Sequence, residues 1–262
     1  MRDSSFVIGP QMDLSIFTGT MVDMTWQEIK RAVESNAVVL LPVGMIEEHG
    51  PHMDLSPDVR MATVFCRGLV QKLQAKGMEA VIAPPFYWGI SPDCSHFPGT
   101  FSVRPETMKG LLVDIFTSLE SWGFKNLFVA NAHGDPTHVA MIEAAIDEVR
   151  NTLKMRIDHL GNLAVEVENP PAFPPAREGA FAPDYHAGSI ETAAVNTFFP
   201  QIVNTVLAKT LKPQVGFGTL GHRGDPASFE LEKTIIEYFH ADTELDALKI
   251  QAVLNGKAAS LG

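Results

Sequence analysis

Glu47, His49 and Asp58 fall within one short stretch, Gly44-Met45-Ile46-Glu47-Glu48-His49-Gly50-Pro51-His52-Met53-Asp54-Leu55-Ser56-Pro57-Asp58. Carboxylates and imidazoles are the oxygen and nitrogen donors that borderline divalent ions such as Zn²⁺ and Mn²⁺ accept. Glu47 and His49 are two apart, so in an extended or turning segment both project to one side. Asp58 returns to them after the turns at Pro51 and Pro57. The pattern differs from the helical His-Glu-x-x-His of zinc proteases, because Gly50 and Pro51 stand where that helix would run.

Two later clusters carry the same chemistry. Asn131-Ala132-His133-Gly134-Asp135 follows an apolar run, and Asp184-Tyr185-His186-Ala187-Gly188-Ser189-Ile190-Glu191-Thr192 leads into a helical pattern. Together the three clusters offer Glu47, His49, Asp58, His133, Asp135, His186 and Glu191. Two divalent ions bridged by a shared carboxylate need about that many ligands and would activate a bridging water. Without cysteine among them, the donors favour Zn, Mn or Fe over an iron–sulfur centre. Each residue also has a plainer reading. Asp135 suits the cap of a helix starting at Pro136, and Glu191 suits the positive end of its own helix. His133 reads equally as a satisfied turn histidine. His52 and Asp54 suit partners that orient the ligands, while His138, His159, His222 and His240 read as structural or surface residues.

The elements that must position these clusters alternate. Thr25-Trp26-Gln27-Glu28 is a capping box opening a helix to about Ser35. The run 37–43 is apolar throughout and reads as a strand buried on both faces. Apolar spacing predicts a helix over 59–76, then a short strand at 79–83 stopped by Pro84-Pro85. A long loop, 86–100, reads as functional. Pro105 opens a helix to about Trp122, followed by a strand at 126–130, a helix at 136–152 and a strand at 155–160. Residues 169–183, rich in proline and alanine, read as a flap. A helix follows up to Pro200, and the chain from Ser228 to about Asn255 reads as helical. This alternation predicts one doubly wound α/β domain spanning residues 1–262, with ligands beyond the carboxyl ends of its strands.

Composition narrows the function classes. A formal charge of −11 disfavours binding to a phosphate backbone. No apolar run reaches a membrane span, and Met1-Arg2-Asp3-Ser4-Ser5 lacks the features of a signal peptide. The cysteines, Cys66 and Cys94, are too few for a disulfide framework. The expectation is a cytoplasmic globular protein with no nucleic-acid or membrane partner.

The chain resembles the creatininase family of creatinine amidohydrolase and its relatives. The resemblance rests on Leu41-Pro42-Val43-Gly44 leading into Glu47-x-His49-Gly50 and Asp58. It continues through His96-Phe97-Pro98-Gly99-Thr100, Asn131-Ala132-His133-Gly134 and His186-Ala187-Gly188-Ser189-Ile190-Glu191-Thr192. It implies a three-layer α/β/α sandwich with a mostly parallel central sheet, assembled as a homo-oligomer, often a hexamer. It also implies a binuclear centre of Zn²⁺, with Mn²⁺ or Fe²⁺ as alternatives. Carried over by position, Glu47, Asp58 and His133 hold one metal, while His49 and the bridging Asp58 hold the second. Either Asp135 or Glu191 completes that second site, and His186 matches the proton shuttle.

The reaction so implied is hydrolysis of a non-peptide C–N bond in a small cyclic amide or formamide by a metal-bound hydroxide. His186 and Glu191 are the catalytic candidates. Relatives act on creatinine, on formamidopyrimidine intermediates and on a peptide during cofactor maturation. The tryptophans that enclose creatinine have no counterpart in 155–168, and Asp184-Tyr185 precedes His186, so the substrate wall departs from creatininase. The rival of another class is a non-catalytic homologue that binds a metal or a small ligand.

Overall fold

Every residue of Val38–Val43 (β1) is buried, so a layer must cover each face of this strand. Alternation divides the work: Val39, Leu41 and Val43 enter one core, and Val38 and Leu40 enter another. The computed structural model describes residues 13–173, 186–229 and 232–257. Most of the expected flap, together with Asp184 and Tyr185, lies outside those residues.

In chain order the elements are α1 (Trp26–Glu34), β1, α2 (Pro57–Ala75), β2 (Ala80–Ile82), α3 (Pro105–Ser121), β3 (Asn126–Asn131), α4 (Pro136–Val149) and β4 (Arg156–His159). Then come α5 (Ser189–Phe198), the single turn α6 (Thr205–Ala208) and α7 (Glu232–Leu254). The expected capping box is formed: Thr25 caps Glu28 N, and Glu28 Oε2 accepts from Thr25 N at 2.7 Å. Two boundaries differ from expectation. α4 ends at Val149, before Thr152, and Pro226–Ser228 forms a separate 3-10 turn ahead of α7. Asp225, which accepts from Ala227 N, closes that turn on itself.

The strands are parallel in the order β2-β1-β3-β4. α3 and α4 cover one face through Met108, Leu112, Phe116, Ile142 and Ile146, with α1 packed against the same cluster. α2 and α7 cover the other through Cys66, Leu69, Leu73, Ala247 and Ile250, and α5 joins them through Val195 and Phe198 against Val64 and Phe239. The result is the three-layer sandwich. Among the described residues, no helix is long and apolar enough to cross a membrane.

The chain leaves β1 toward β2 on one side and leaves β3 toward β4 on the other. The crevice of such a sheet opens where the direction reverses, between β1 and β3. Register brings these two strands to a common end, with Val43 paired to Asn131. The loops carrying Glu47 and His133 therefore emerge side by side.

Gly44 sets how close α2 comes to that end. A Cβ at this position would lie 2.6 Å from Val59 N and 2.7 Å from the carbonyl carbon of Asp58. These are main-chain atoms of the first turn of α2 and cannot rotate away. Gly44→Ala is expected to lower the unfolding free energy by about 1–3 kcal/mol, as overpacking in a tight core does. Thermal unfolding checks this, and a wild-type Tm would show that the helix can retreat at no cost.

Candidate metal centre

Four segments deliver the polar side chains. The loop after β1 is closed by Glu47 N donating to Leu55 O at 3.2 Å and Glu48 N donating to Thr100 Oγ1 at 3.1 Å. Pro57 starts α2 at its first position, which puts Asp58 in the first turn. Beyond β3, Asn131 and His133 clasp each other through Asn131 Nδ2 to His133 O at 2.7 Å and His133 N to Asn131 Oδ1 at 3.2 Å. Ahead of α5, Ala187 is fully buried with φ of 49°, a conformation rare outside glycine and costing on the order of 1–3 kcal/mol. That turn lets Ala187 N donate to Glu191 Oε2 at 2.6 Å.

The two oxygens of Asp58 face different histidines. Oδ1 lies 3.2 Å from His49 Nε2, and Oδ2 lies 3.0 Å from His133 Nδ1. His133 Nδ1 is also 3.0 Å from Glu47 Oε1, and His49 Nε2 is 3.4 Å from Glu191 Oε1. Glu47, Asp58 and His133 thus form one group of convergent donors, and His49, Asp58 and Glu191 form a second. Asp58 belongs to both.

Each imidazole uses its other nitrogen on the main chain. His49 Nδ1 meets Glu47 O at 3.1 Å, and His133 Nε2 meets Ile90 O at 3.0 Å. A carbonyl only accepts, so those nitrogens carry the hydrogens and the remaining lone pairs point at carboxylates. Lone pair facing lone pair is repulsive unless a proton or a cation lies between. Glu47 Oε2 and Asp58 Oδ2 are also buried, with His133 Nδ1 3.0 Å from the latter and the ring hydrogen of His133 already committed to Ile90 O through Nε2. Ligating histidines oriented through their second nitrogen, with buried unsatisfied carboxylate oxygens, are the donor chemistry of a divalent metal site.

Titration behaviour follows from the same contacts. Burial opposes a charge on His133, yet Asp58 and Glu47 raise its pKa to about 11. Burial opposes His49 too, and Glu191 with Asp58 outweighs it, holding the ring well above its usual range. Asp58, despite burial, is held far below the ordinary carboxylate value by His49 and His133. Glu191 is likewise lowered against burial by His49. His138 goes the other way: burial, then His133, pushes it down to about 3. It stays neutral, contacting Asn131 Oδ1 at 3.2 Å through Nε2 and accepting from Ile90 N through Nδ1 at 3.3 Å.

Of the residues singled out in the sequence, Glu47, His49, Asp58, His133, His186 and Glu191 come together. His186 packs at a tilt against His49 at 4.6 Å between ring centroids, with Nδ1 3.8 Å from Glu47 Oε1. Asp135 does not join them. Its Oδ1 accepts from Thr137 N at 2.8 Å and His138 N at 3.0 Å, so it caps α4. Pro136 starts that helix at once, which turns the carboxylate toward the free N–H groups rather than the crevice. His52 ties the first loop to α5 through Nε2 and Thr192 Oγ1 at 2.8 Å, while Asp54 is exposed and bonds Ser56. Sequence reasoning missed Glu48 and Cys94, which gather around His186. It also missed the Ile90 carbonyl, for which the sequence carries no signal, since every residue has one.

Comparison with known proteins gives concordant results. The pattern of the creatininase family, described as creatinine amidohydrolase, matches residues 22–233. A mycofactocin precursor peptide peptidase of Mycolicibacterium smegmatis is 32% identical over 206 residues, which is 73% of this chain and 75% of that protein. A creatinine amidohydrolase of Pseudomonas putida is 31% identical over 147 residues, 53% of this chain and 54% of that protein. Among solved structures, a mutant creatininase of the Zn-Zn type superposes with a TM-score of 0.63 at 21% identity, covering 93% of this chain and 98% of the other.

Two outcomes are expected of this geometry. Metal must displace the protons held by His49 and His133, so adding Zn²⁺ to metal-free protein in weak buffer near neutral pH should release on the order of one to two protons. Apparent affinity should fall as pH falls. Binding without acidification would place the metal elsewhere. Asp58→Asn keeps the size and loses the charge shared by both groups, so it should reduce occupancy of both together by elemental analysis. Full occupancy in that variant would remove Asp58 from the shared position.

Proposed function

The chain belongs to the creatininase family, and from that premise we propose that it is a divalent-metal-dependent amidohydrolase cleaving a non-peptide C–N bond of a small cyclic amide or formamide. The observation that carries this reading is the pair of donor groups joined at Asp58. Zn²⁺ fits the donor set, as do Mn²⁺ and Fe²⁺, and solved creatininases with the same fold include a Zn-Zn type and a Mn form. When bound, such cations polarise a carbonyl oxygen and acidify water.

The chain's own residues do the rest. Glu47, Asp58 and Glu191 supply the negative charge that offsets two cations. His186 Nε2 faces two oxygens that accept, Glu48 O at 2.8 Å and Glu48 Oε1 at 3.1 Å, both nearer than Cys94 Sγ at 3.9 Å, so it carries the hydrogen. Its Nδ1 lone pair then faces the donor groups, placed to take a proton from an attacking water and return it to the leaving nitrogen. Burial opposes a charge on this ring, as does His49, yet Glu48 raises its pKa above the ordinary value. The ring is thus able to hold the proton between the two transfers. The 86–101 loop reaches the crevice through Ile90 and carries Trp88 tilted against Tyr87 and edge-on to Phe101, an aromatic group available to a planar amide. Assembly as a homo-oligomer and a cytoplasmic location belong to the same reading.

A second reading, cleavage of a peptide, is favoured by the greater extent of the match to the peptide peptidase than to the creatinine amidohydrolase. The test is to load the full chain with Zn²⁺ or Mn²⁺ and offer creatinine, N-formyl amines and short peptides, following the new carboxylate that hydrolysis of each one forms. His186→Ala should lower turnover by roughly 10²–10⁴-fold with metal content unchanged. Turnover of peptides alone selects the second reading. If none of the three classes is hydrolysed, the hydrolytic reading fails and a binding homologue remains.

A further inference from the structure

The Glu48 carboxylate is buried beside the donor groups but belongs to neither of the pair that Asp58 joins. Its Oε1 lies 3.1 Å from His186 Nε2, and its Oε2 accepts from Gly50 N at 2.9 Å. Cys94 Sγ packs 3.9 Å from the same Nε2. The segment 217–223 closes over this pair from outside. Phe217 packs at a tilt against His186 at 5.2 Å between centroids, and His49 packs at a tilt against the same ring at 4.6 Å. Arg223 and His186 exchange main-chain hydrogen bonds of 2.7 and 3.3 Å. Gly221, at φ of 69°, leaves no room for a side chain, since a Cβ there would stand 1.9 Å from Glu48 Oε2. Every one of these contacts limits where the carboxylate and the ring can go.

We propose that Glu48 is a positioning residue: its carboxylate, clamped by Gly50 and Gly221, holds the His186 ring with Nε2–H turned away from the donor groups and Nδ1 turned toward them. A carboxylate that fixes the tautomer and orientation of a working histidine is a recurrent arrangement, since the hydrogen bond at one ring nitrogen decides what the other can do. The proposal rests on the proton-transfer role given to His186, but its geometry is measured without any substrate.

The experiment uses full-length Zn²⁺-loaded protein labelled with ¹⁵N-histidine, compared at equal metal content. The wild type should show a resolved Nε2–H resonance for His186, assigned by its disappearance in His186→Gln. Glu48→Ala should lose that resonance to exchange with water, because the main-chain carbonyl alone leaves the ring free to tilt. Glu48→Gln, which retains an acceptor oxygen, should keep it. Gly221→Ala displaces the carboxylate without deleting it and should reproduce the loss, which covers the case in which Glu48→Ala does not fold. A wild-type resonance in Glu48→Ala or in Gly221→Ala overturns the proposal. Where a substrate is turned over, Glu48→Ala should lower kcat by roughly 10–100-fold with KM unchanged, and a rise in KM alone counts against it. A protein that hydrolyses nothing defeats the proposed function and leaves the resonance test intact.

Discussion

Asp58 holds a buried negative charge between two imidazoles, with another carboxylate close to each of its oxygens. Glu47 and Asp58 converge within 4.8 Å, and so do Asp58 and Glu191. Two like charges about 4 Å apart repel by about 4 kcal/mol at an effective dielectric of ~20. Two such contacts approach the 5–15 kcal/mol that holds a typical domain together. Positive charge must therefore sit among them, as protons on His49 and His133 or as metal cations. The centre is an electrostatic liability that the fold carries, and the surrounding main chain is arranged to keep it from relaxing.

That arrangement begins with the sheet. A strand buried on both faces cannot tilt without opening one of two cores, so β1 is a rigid base for the loop that follows it. β3 ends in register beside it, and α2 starts against Gly44. The donor atoms are thereby fixed by three elements that share a core rather than by one flexible loop. The contribution of α5 differs. Glu191 reaches the site because a fully buried alanine adopts a left-handed conformation. Strain of this kind persists only where surrounding packing over-determines it, here with Val195 and Phe198 locking α5 onto α2 and α7.

The elements were legible because their signals are local. A capping box, prolines at first helical positions and uniformly apolar runs act over a few residues, and the boundaries found lie within about two or three residues of expectation, apart from the start of α7. The doubly wound α/β class was legible from alternation alone, whereas the strand order was not read from the sequence. The site was legible as a set of residue types near strand ends, and less so as a geometry. Asp135 and Glu191 carry equal chemical promise in the sequence; what separates them is that Pro136 turns one carboxylate to its own helix while Ala187 turns the other to His49. Glu48 was hidden for a related reason. It stands between Glu47 and His49 in the chain, yet its partner is His186, 138 residues away, and no local pattern reports a contact at that range.

Both histidines that face Asp58 are anchored to peptide carbonyls, of Glu47 and Ile90. A carbonyl is present whatever side chain the residue bears. The loop from 86 to 101 can accordingly exchange its side chains over evolutionary time without altering how His133 is aimed, provided its backbone path is kept. Under the proposed function, substrate preference would be written in side chains and the aim of His133 in main chain, two separate alphabets. Such a separation lets a lineage try new substrates by ordinary point substitutions, with the costly ionic centre inherited intact at each step.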